Sequence, residues 1–509
     1  MRRTVVLGLA LMVWTGALFL FPRDASAIPA FARRYGLSCS ACHSAWPALN
    51  AAGWSFRMSG YRRLNGRDLE PTTKDIELYM GALSMPAIPP LAVTASFGFD
   101  FQQIKRTDSD GNKATQVGNS LNAEAIELFV AAPLGKHLSV FTEFPMFETH
   151  APANDGPTGP AEANAATDPG SRRDIQFETE SPTFEKGKGI WNTLLPEGWL
   201  PTDSLNIVVG VDELPLAFSP EGRRLATRPY LVYRRRALDL LSGTKLDDLL
   251  PNGSEADHLL RLGEPQILVE LNGLLVPGGN LTDLAKPDTL SLEYHVGVTN
   301  GSNNNADPNR EKDFFGRLAM RWWGVTLGVF GYYSPDIYDT GQRTDGSIAG
   351  NPSGEGIFSG AERHNEFYAV GPDLTLNLEP FDIPVWIEAQ ALFNSESNPT
   401  GFDKRFSWWG GFAQLNWKVV RSLVAYGRYD RIEGDHFDDT AATVGGVSGT
   451  TGTVKPREWM AVGGLQWYVL ENLKLVGEYS RREFENHAST PAQQRIQEDS
   501  FTIRASLGF

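Results

Sequence analysis

The sequence predicts a mainly β protein: an antiparallel transmembrane β-barrel of about sixteen strands, with a small helical segment ahead of it. Three observations point to this class. From Leu91 onward, apolar and polar residues alternate in runs of about ten, the length that a tilted membrane-crossing strand requires. The links between these runs are alternately short and long, as in barrels with short periplasmic turns and long outer loops. After Phe21 no apolar run is long enough for a spanning helix, so any crossing must be made by strands, whose alternation hides them from average hydropathy.

The chain opens Met1-Arg2-Arg3, runs apolar from Val5 to Phe21 and reaches the small-residue site Ala25-Ser26-Ala27. A charged start, an apolar middle and a small-x-small exit predict a secretory signal peptide over residues 1–27, with the mature chain starting at Ile28. The arginine pair lacks the rest of a twin-arginine consensus, so general secretion is expected.

Residues 28–85 form the next unit. It holds both cysteines of the chain in Cys39-Ser40-Ala41-Cys42-His43. In an exported protein, Cys-x-x-Cys-His reads as a site of covalent haem c attachment: the two sulfurs add to the haem vinyl groups and His43 becomes an axial ligand. A thioredoxin-like redox pair would need a βαβ context, and a structural zinc site would need further ligands nearby, yet the next histidine is His137. The surrounding Ala, Leu, Trp, Phe and Met residues suit a haem edge, but they are too few to bury a haem alone. The segment must therefore lean on the remaining chain. For the sixth ligand, Met58, Met80 and Met85 lie downstream, with Met58 or Met80 preferred and ordinary packing the competing role for each. His295, expected to face the barrel lumen, is the alternative; lumen histidines more commonly serve only in hydrogen bonds.

The flanks carry a resemblance. Pro29-Ala30-Phe31-Ala32-Arg33, the haem motif, Pro47-Ala48-Leu49-Asn50 and Phe56 with Gly60-Tyr61 follow one another in order. This stretch resembles the start of the fused monohaem cytochrome–porins of iron-oxidising bacteria. The motif-level match covers Pro29 to Tyr61; beyond it the likeness is one of architecture. The resemblance implies that the cytochrome segment plugs the barrel. It also implies that the protein takes electrons from extracellular Fe(II) and hands them to a soluble periplasmic cytochrome or copper carrier, as an iron:cytochrome c oxidoreductase working by one-electron transfer.

The barrel is expected over residues 86–509. Leu290, Leu292, Tyr294, Val296 and Val298 oppose Ser291, Glu293, His295 and Gly297. Val385 to Phe393 and Trp459 to Trp467 alternate likewise, and Phe501, Ile503, Ala505, Leu507 and Phe509 make the last apolar face. Short turns are predicted at Leu134-Gly135-Lys136, Trp323-Gly324, Pro380-Phe381, Val420-Arg421 and Glu471-Asn472. Long links are predicted at 103–120, 300–312, 334–363, 432–456 and 485–499, with a further outer loop rich in Gly, Pro, Ala and Asn over 151–170. Trp322-Trp323, Tyr332-Tyr333 and Trp408-Trp409 are expected to form interfacial girdles in contact with outer-membrane lipid. Between Pro215 and Pro265 a single strand over Tyr230–Arg236, plus a loop or lumen insert, is expected. An even strand number returns both termini to the periplasmic side, which places the haem segment at that mouth or up inside it.

Glu127, Glu143, Glu293, Glu388, Glu458 and Glu478 are expected to face the lumen, either guiding ferrous ions or pairing with Arg317, Arg321, Arg428 and Arg504. The net charge of −15 argues against nucleic-acid binding. Three classes of function follow: a conduit oxidising Fe(II), the same conduit serving another extracellular donor or acceptor, and a solute porin with a haem-bearing plug. A peroxidase would need a positioned distal base, for which no candidate stands out.

Overall fold

The computed structural model describes residues 30–78, 83–87, 89–107, 113–150, 178–180, 185–195, 199–220, 222–242, 260–303, 311–335, 365–399, 404–439, 452–485 and 495–508. The signal peptide, Met80, the loop expected over 151–170 and Phe509 lie outside them.

The barrel strands are β1 (Leu91–Thr107), β2 (Lys113–Leu134), β3 (Leu138–His150), β4 (Glu178–Glu180 and Lys186–Trp191), β5 (Asn206–Asp212), β6 (Gln266–Leu275), β7 (Ser291–Thr299) and β8 (Asp313–Trp322). They continue as β9 (Val325–Ser334), β10 (Phe367–Asn377), β11 (Val385–Glu396), β12 (Phe406–Val420), β13 (Leu423–Gly434), β14 (Arg457–Leu470), β15 (Leu473–Glu485) and β16 (Arg495–Gly508). Both pieces of β4 pair with β3, so they count once, and sixteen antiparallel strands close the barrel. Closure is made by β16 on β1, in a ladder from Arg495↔Thr107 to Gly508↔Thr94. A closed barrel leaves no open sheet edge, which is what lets strands cross a bilayer.

Alternation sets the two faces. On β13, Val424, Tyr426, Arg428, Asp430 and Ile432 are buried inside, while Tyr429 between them is exposed. The outside is an apolar belt that includes Val296, Leu318, Leu327, Val370, Phe393, Leu415 and Leu465, all exposed. This is the exterior of a membrane-spanning barrel. Paired aromatics mark both rims: Trp323 with Phe381 at one end, and Tyr333 with Tyr368 and Tyr429 with Trp459 toward the other. The girdle pairs divide, however. Tyr332 and Trp408 are buried in the lumen, and only their neighbours Tyr333 and Trp409 take the outer face, because consecutive strand residues point to opposite sides.

The five predicted short turns all join adjacent strands at one end of the barrel. The tightest, Trp323-Gly324, has positive φ at both residues (49° and 73°), the geometry of a two-residue hairpin turn. A Cβ on Gly324 would lie 2.2 Å from the Asn377 carbonyl oxygen. The start of β1 and the end of β16 lie at this same end.

Two expectations are corrected. Residues 103–120 are not a long loop: β1 runs to Thr107 and β2 begins at Lys113, so most of that stretch is paired strand. Its Gln, Thr and Asn residues had hidden the strand, because the apolar signal fades where strands rise beyond the lipid belt. Tyr230–Arg236 is not a strand either. It holds a short helix, α3 (Leu231–Arg234), followed by α4 (Ala237–Ser242), inside a lumen insert that leaves β5 and returns to β6 at the end opposite the short turns.

That insert crosses the barrel. Tyr230 stacks on Phe412 of β12 at 4.0 Å, Arg236 pairs with Glu396 of β11 at 2.8 Å and Arg235 with Glu458 of β14 at 2.8 Å. The backbone N–H of Thr227 donates to Glu478 of β15 at 2.7 Å, and that of Leu231 to Asp430 of β13 at 3.2 Å. Leu214, Leu216, Tyr230, Tyr233, Leu240 and Leu260 are buried in an apolar core that continues down to Tyr61 of the N-terminal segment.

Candidate haem-attachment site

The N-terminal segment consists of helix α1 (Ala30–Tyr35), the single turn Cys39–Ala41, a small ladder of His43–Ala45 on Ala48–Leu49, and helix α2 (Ala51–Met58). Each residue of the sequence pattern has a local task. Asn50 caps α2, its side-chain oxygen accepting the Gly53 N–H at 2.9 Å, while its own N–H donates to the Cys42 carbonyl at 2.9 Å. Gly53 is where α2 rests on the cysteine turn: a Cβ there would lie 2.1 Å from the Cys42 carbonyl oxygen. Phe31 stacks on Tyr61 at 4.6 Å and meets Phe56 edge-on at 5.0 Å; the Tyr35 hydroxyl donates to the Tyr61 carbonyl at 2.8 Å. These contacts hold Tyr61 at φ 62°, a left-handed conformation that is costly for an aromatic residue.

The ring of His43 is fixed by Pro47. Nδ1 lies 3.0 Å from the Pro47 carbonyl oxygen, an acceptor only, so Nδ1 carries the proton and Nε2 keeps its lone pair. Burial holds the imidazole well below its usual range, at about 4, so it is neutral at physiological pH. A neutral imidazole with one nitrogen tied to a backbone carbonyl is the oriented form that a metal ligand needs. Both cysteines are free and half-buried, one turn apart, with the Cys42 N–H donating to the Cys39 carbonyl at 3.2 Å. Burial pushes the Cys42 thiol up to about 11 and the Cys39 thiol upward as well. A dithiol redox centre lowers such values. The donor set therefore suits attachment of a haem better than redox exchange. Among the described residues no group of three or more His, Cys, Asp or Glu side chains is placed to hold a metal ion, which leaves zinc without its ligands.

The segment is clamped within the mouth at the short-turn end. On one side, Arg57 meets Asp212 of β5 at 2.9 Å and Arg63 meets Asp203 at 2.9 Å. Ser139 donates to the Gly60 carbonyl at 2.7 Å, and Asn192 to the Met58 carbonyl at 2.9 Å. On the far side, the Tyr468 hydroxyl of β14 donates to the Trp46 carbonyl at 2.8 Å, and Cys39 Sγ lies 3.7 Å from the Glu471 carbonyl oxygen. Trp54 lies between Arg57 of its own helix and Arg223 of the lumen insert, at 5.7 and 5.8 Å, so the two internal segments meet.

The expected sixth ligands are placed differently from one another. Met58 ends α2 with its side chain buried, on the helix that touches Cys42. Met85 is 47% exposed, on a short strand outside the cluster. His295 faces the lumen from β7, as alternation predicted, and both its nitrogens are taken: Nδ1 lies 2.8 Å from Glu270 and Nε2 3.1 Å from Glu293. Of the lumen acids, Glu293 pairs with Arg317 at 2.9 Å and with Arg321, Glu143 with Lys186 at 3.3 Å, and Glu458 with Arg235 and Arg482. Arg428 pairs with Asp430. Glu478 accepts from the Thr227 and Tyr426 hydroxyls and Glu127 from Thr94, so these acids are engaged by ion pairs or by neutral donors. Sequence reasoning missed Lys188, Arg223 and Asp212, whose roles depend on cross-barrel contacts with no local signature.

No protein-family model matches the chain, and no curated protein does. Among solved structures it is similar to the outer membrane channel DcaP of Acinetobacter baumannii (9% identity, TM-score 0.44, covering 86% of this chain and 100% of that one). It is also similar to an anion-selective porin from Comamonas acidovorans (9%, 0.43, 82% and 99%) and to Salmonella typhi OmpF in complex with daunomycin (11%, 0.40, 85% and 100%).

Proposed function

We propose that the protein is an outer-membrane electron conduit, a member of the fused monohaem cytochrome–porins, with one haem c held by Cys39, Cys42 and His43. The observation that carries this reading is His43: neutral, its Nδ1 engaged by Pro47, beside two half-buried cysteines. When bound, haem supplies a reversible one-electron couple. The chain's own residues supply the rest. Pro47 orients the ligand, the Phe31–Phe56–Tyr61 cluster makes a dry wall, and Arg57 and Arg63 fix the segment in the barrel mouth.

In single-chain barrels short turns face the periplasm, which supports a haem segment that serves a soluble periplasmic cytochrome or copper carrier. The predicted signal peptide is consistent with that export route. The insert and the N-terminal segment share one apolar core inside the barrel, which supports passage of electrons over passage of solutes. Fe(II) as the extracellular donor rests on the Pro29–Tyr61 resemblance. A methionine sixth ligand, Met58 or Met80, would raise the potential into the range that suits this donor.

The test is retention of haem by denatured protein on a gel, with most of it lost in Cys42→Ala; haem that extracts freely from wild type refutes the reading. A second reading, a solute porin with a haem-bearing plug, is favoured by the porin-like barrel itself. Planar-bilayer conductance separates the two, since the conduit predicts no steady solute-sized current.

A further inference from the structure

Lys474 stands on the lumen face of β15, and only 8% of it is exposed. Its cross-strand neighbours, Tyr468 on β14 and Ser506 on β16, are uncharged. Among the described residues no carboxylate forms an ion pair with it. The acid whose charge reaches it, Glu127, is itself hydrogen-bonded to Thr94 at 2.7 Å. The contact its ammonium does make is with the ring of Trp46, 4.2 Å from the centroid. A buried ammonium ordinarily has a paired anion, and a cation–π contact alone returns little of the lost hydration. The position therefore suits an anionic group brought by a ligand.

The place is beside the haem motif. Trp46 is three residues past His43, and the Glu471 carbonyl that touches Cys39 Sγ begins the turn into β15. Lys474 is three residues on from Glu471, the second residue of β15. Haem carries two carboxylate side chains on the edge opposite the vinyl groups that cysteines take.

We propose that Lys474 is the cationic partner of a haem carboxylate, completing the binding site from the barrel wall. The assignment rests on the haem reading above. It makes Lys474 a positioning residue that ties the cofactor to the barrel and not only to its own segment. The test uses the full-length, haem-loaded protein in detergent, read by resonance Raman spectroscopy and potentiometry. In Lys474→Met the propionate bending bands shift and the midpoint potential falls, because an unpaired carboxylate favours ferric haem; Lys474→Arg restores both. Should Lys474→Met not reach the barrel fold, Lys474→Gln carries the same expectation. Trp46→Phe, which keeps the cation, leaves the bands in place. Unchanged bands and potential in a haem-loaded Lys474→Met protein overturn this assignment alone. Wild-type protein without covalent haem overturns the haem reading, and this assignment with it.

Discussion

Gly53→Ala sets two effects of opposite sign against each other. Gly53 lies inside α2, where alanine is intrinsically better than glycine by about 1 kcal/mol. The added Cβ, however, would sit 2.1 Å from the Cys42 carbonyl oxygen and 3.0 Å from both the Cys42 carbonyl carbon and Leu49 Cδ2. An ordinary carbon–oxygen contact is about 3.3 Å, so the helix must retreat by about 1.2 Å. That retreat strains packing, at about 1–3 kcal/mol, and stretches the Asn50 N–H bond to Cys42 beyond use, at about 1 kcal/mol more. Subtracting the propensity gain leaves a net loss of about 1–3 kcal/mol, or roughly 5- to 150-fold in the ratio of docked to undocked segment. Limited trypsin digestion reads this ratio, because Arg57, Arg62 and Arg63 are held against the barrel only when the segment is docked. Faster cleavage there, with the barrel still heat-modifiable on gels, is expected, together with less covalent haem per chain. Wild-type cleavage rates and full haem content in Gly53→Ala would refute the close-packing argument.

Three further outcomes are expected. Arg57→Met leaves Asp212 with Lys188 as its remaining partner, so undocking should cost less than the roughly 3–5 kcal/mol of a fully broken buried pair, and conductance bursts should appear in bilayers. Removing Arg236, whose guanidinium pairs with Glu396, should loosen the lumen insert and raise single-channel conductance without releasing haem, as read on the same bilayers and by gel staining. Met58→Ala or Met80→Ala should abolish the near-infrared sulfur-to-iron band of the ferric protein, while His295→Ala leaves it, because both His295 nitrogens already serve Glu270 and Glu293; a lost low-spin spectrum in His295→Ala would instead mean bis-histidine ligation.

Much of the barrel was legible because lipid imposes a pattern that sequence must carry. Val385 to Phe393 and Phe501 to Leu507 alternate so that one face meets hydrocarbon, and the hairpin residues Trp323-Gly324 mark their own turn. The Cys39–His43 motif stands out in the sequence because all of its residues lie within five positions. The lumen was not, since its order comes from contacts across the barrel. Leu231-Val232-Tyr233 has the composition of a strand, yet Asp430 accepts the Leu231 N–H and Phe412 takes Tyr230, and this tertiary setting overrides local preference. Lys474 is likewise one polar residue in an alternating strand, set apart by the approach of Trp46 and by having no ion-paired acid among the described residues.

The central claim is that a haem held by Cys39, Cys42 and His43 inside this barrel accepts electrons from a donor on the long-link side. Anaerobic stopped-flow absorbance tests it most directly, with the protein in sealed liposomes, the long-link side outward and ferrous iron added only outside. The account predicts that the haem is reduced within seconds and that Cys42→Ala liposomes give no such signal. Haem that stays ferric under external ferrous iron, yet reduces fully when a small membrane-permeant reductant is added, would contradict it.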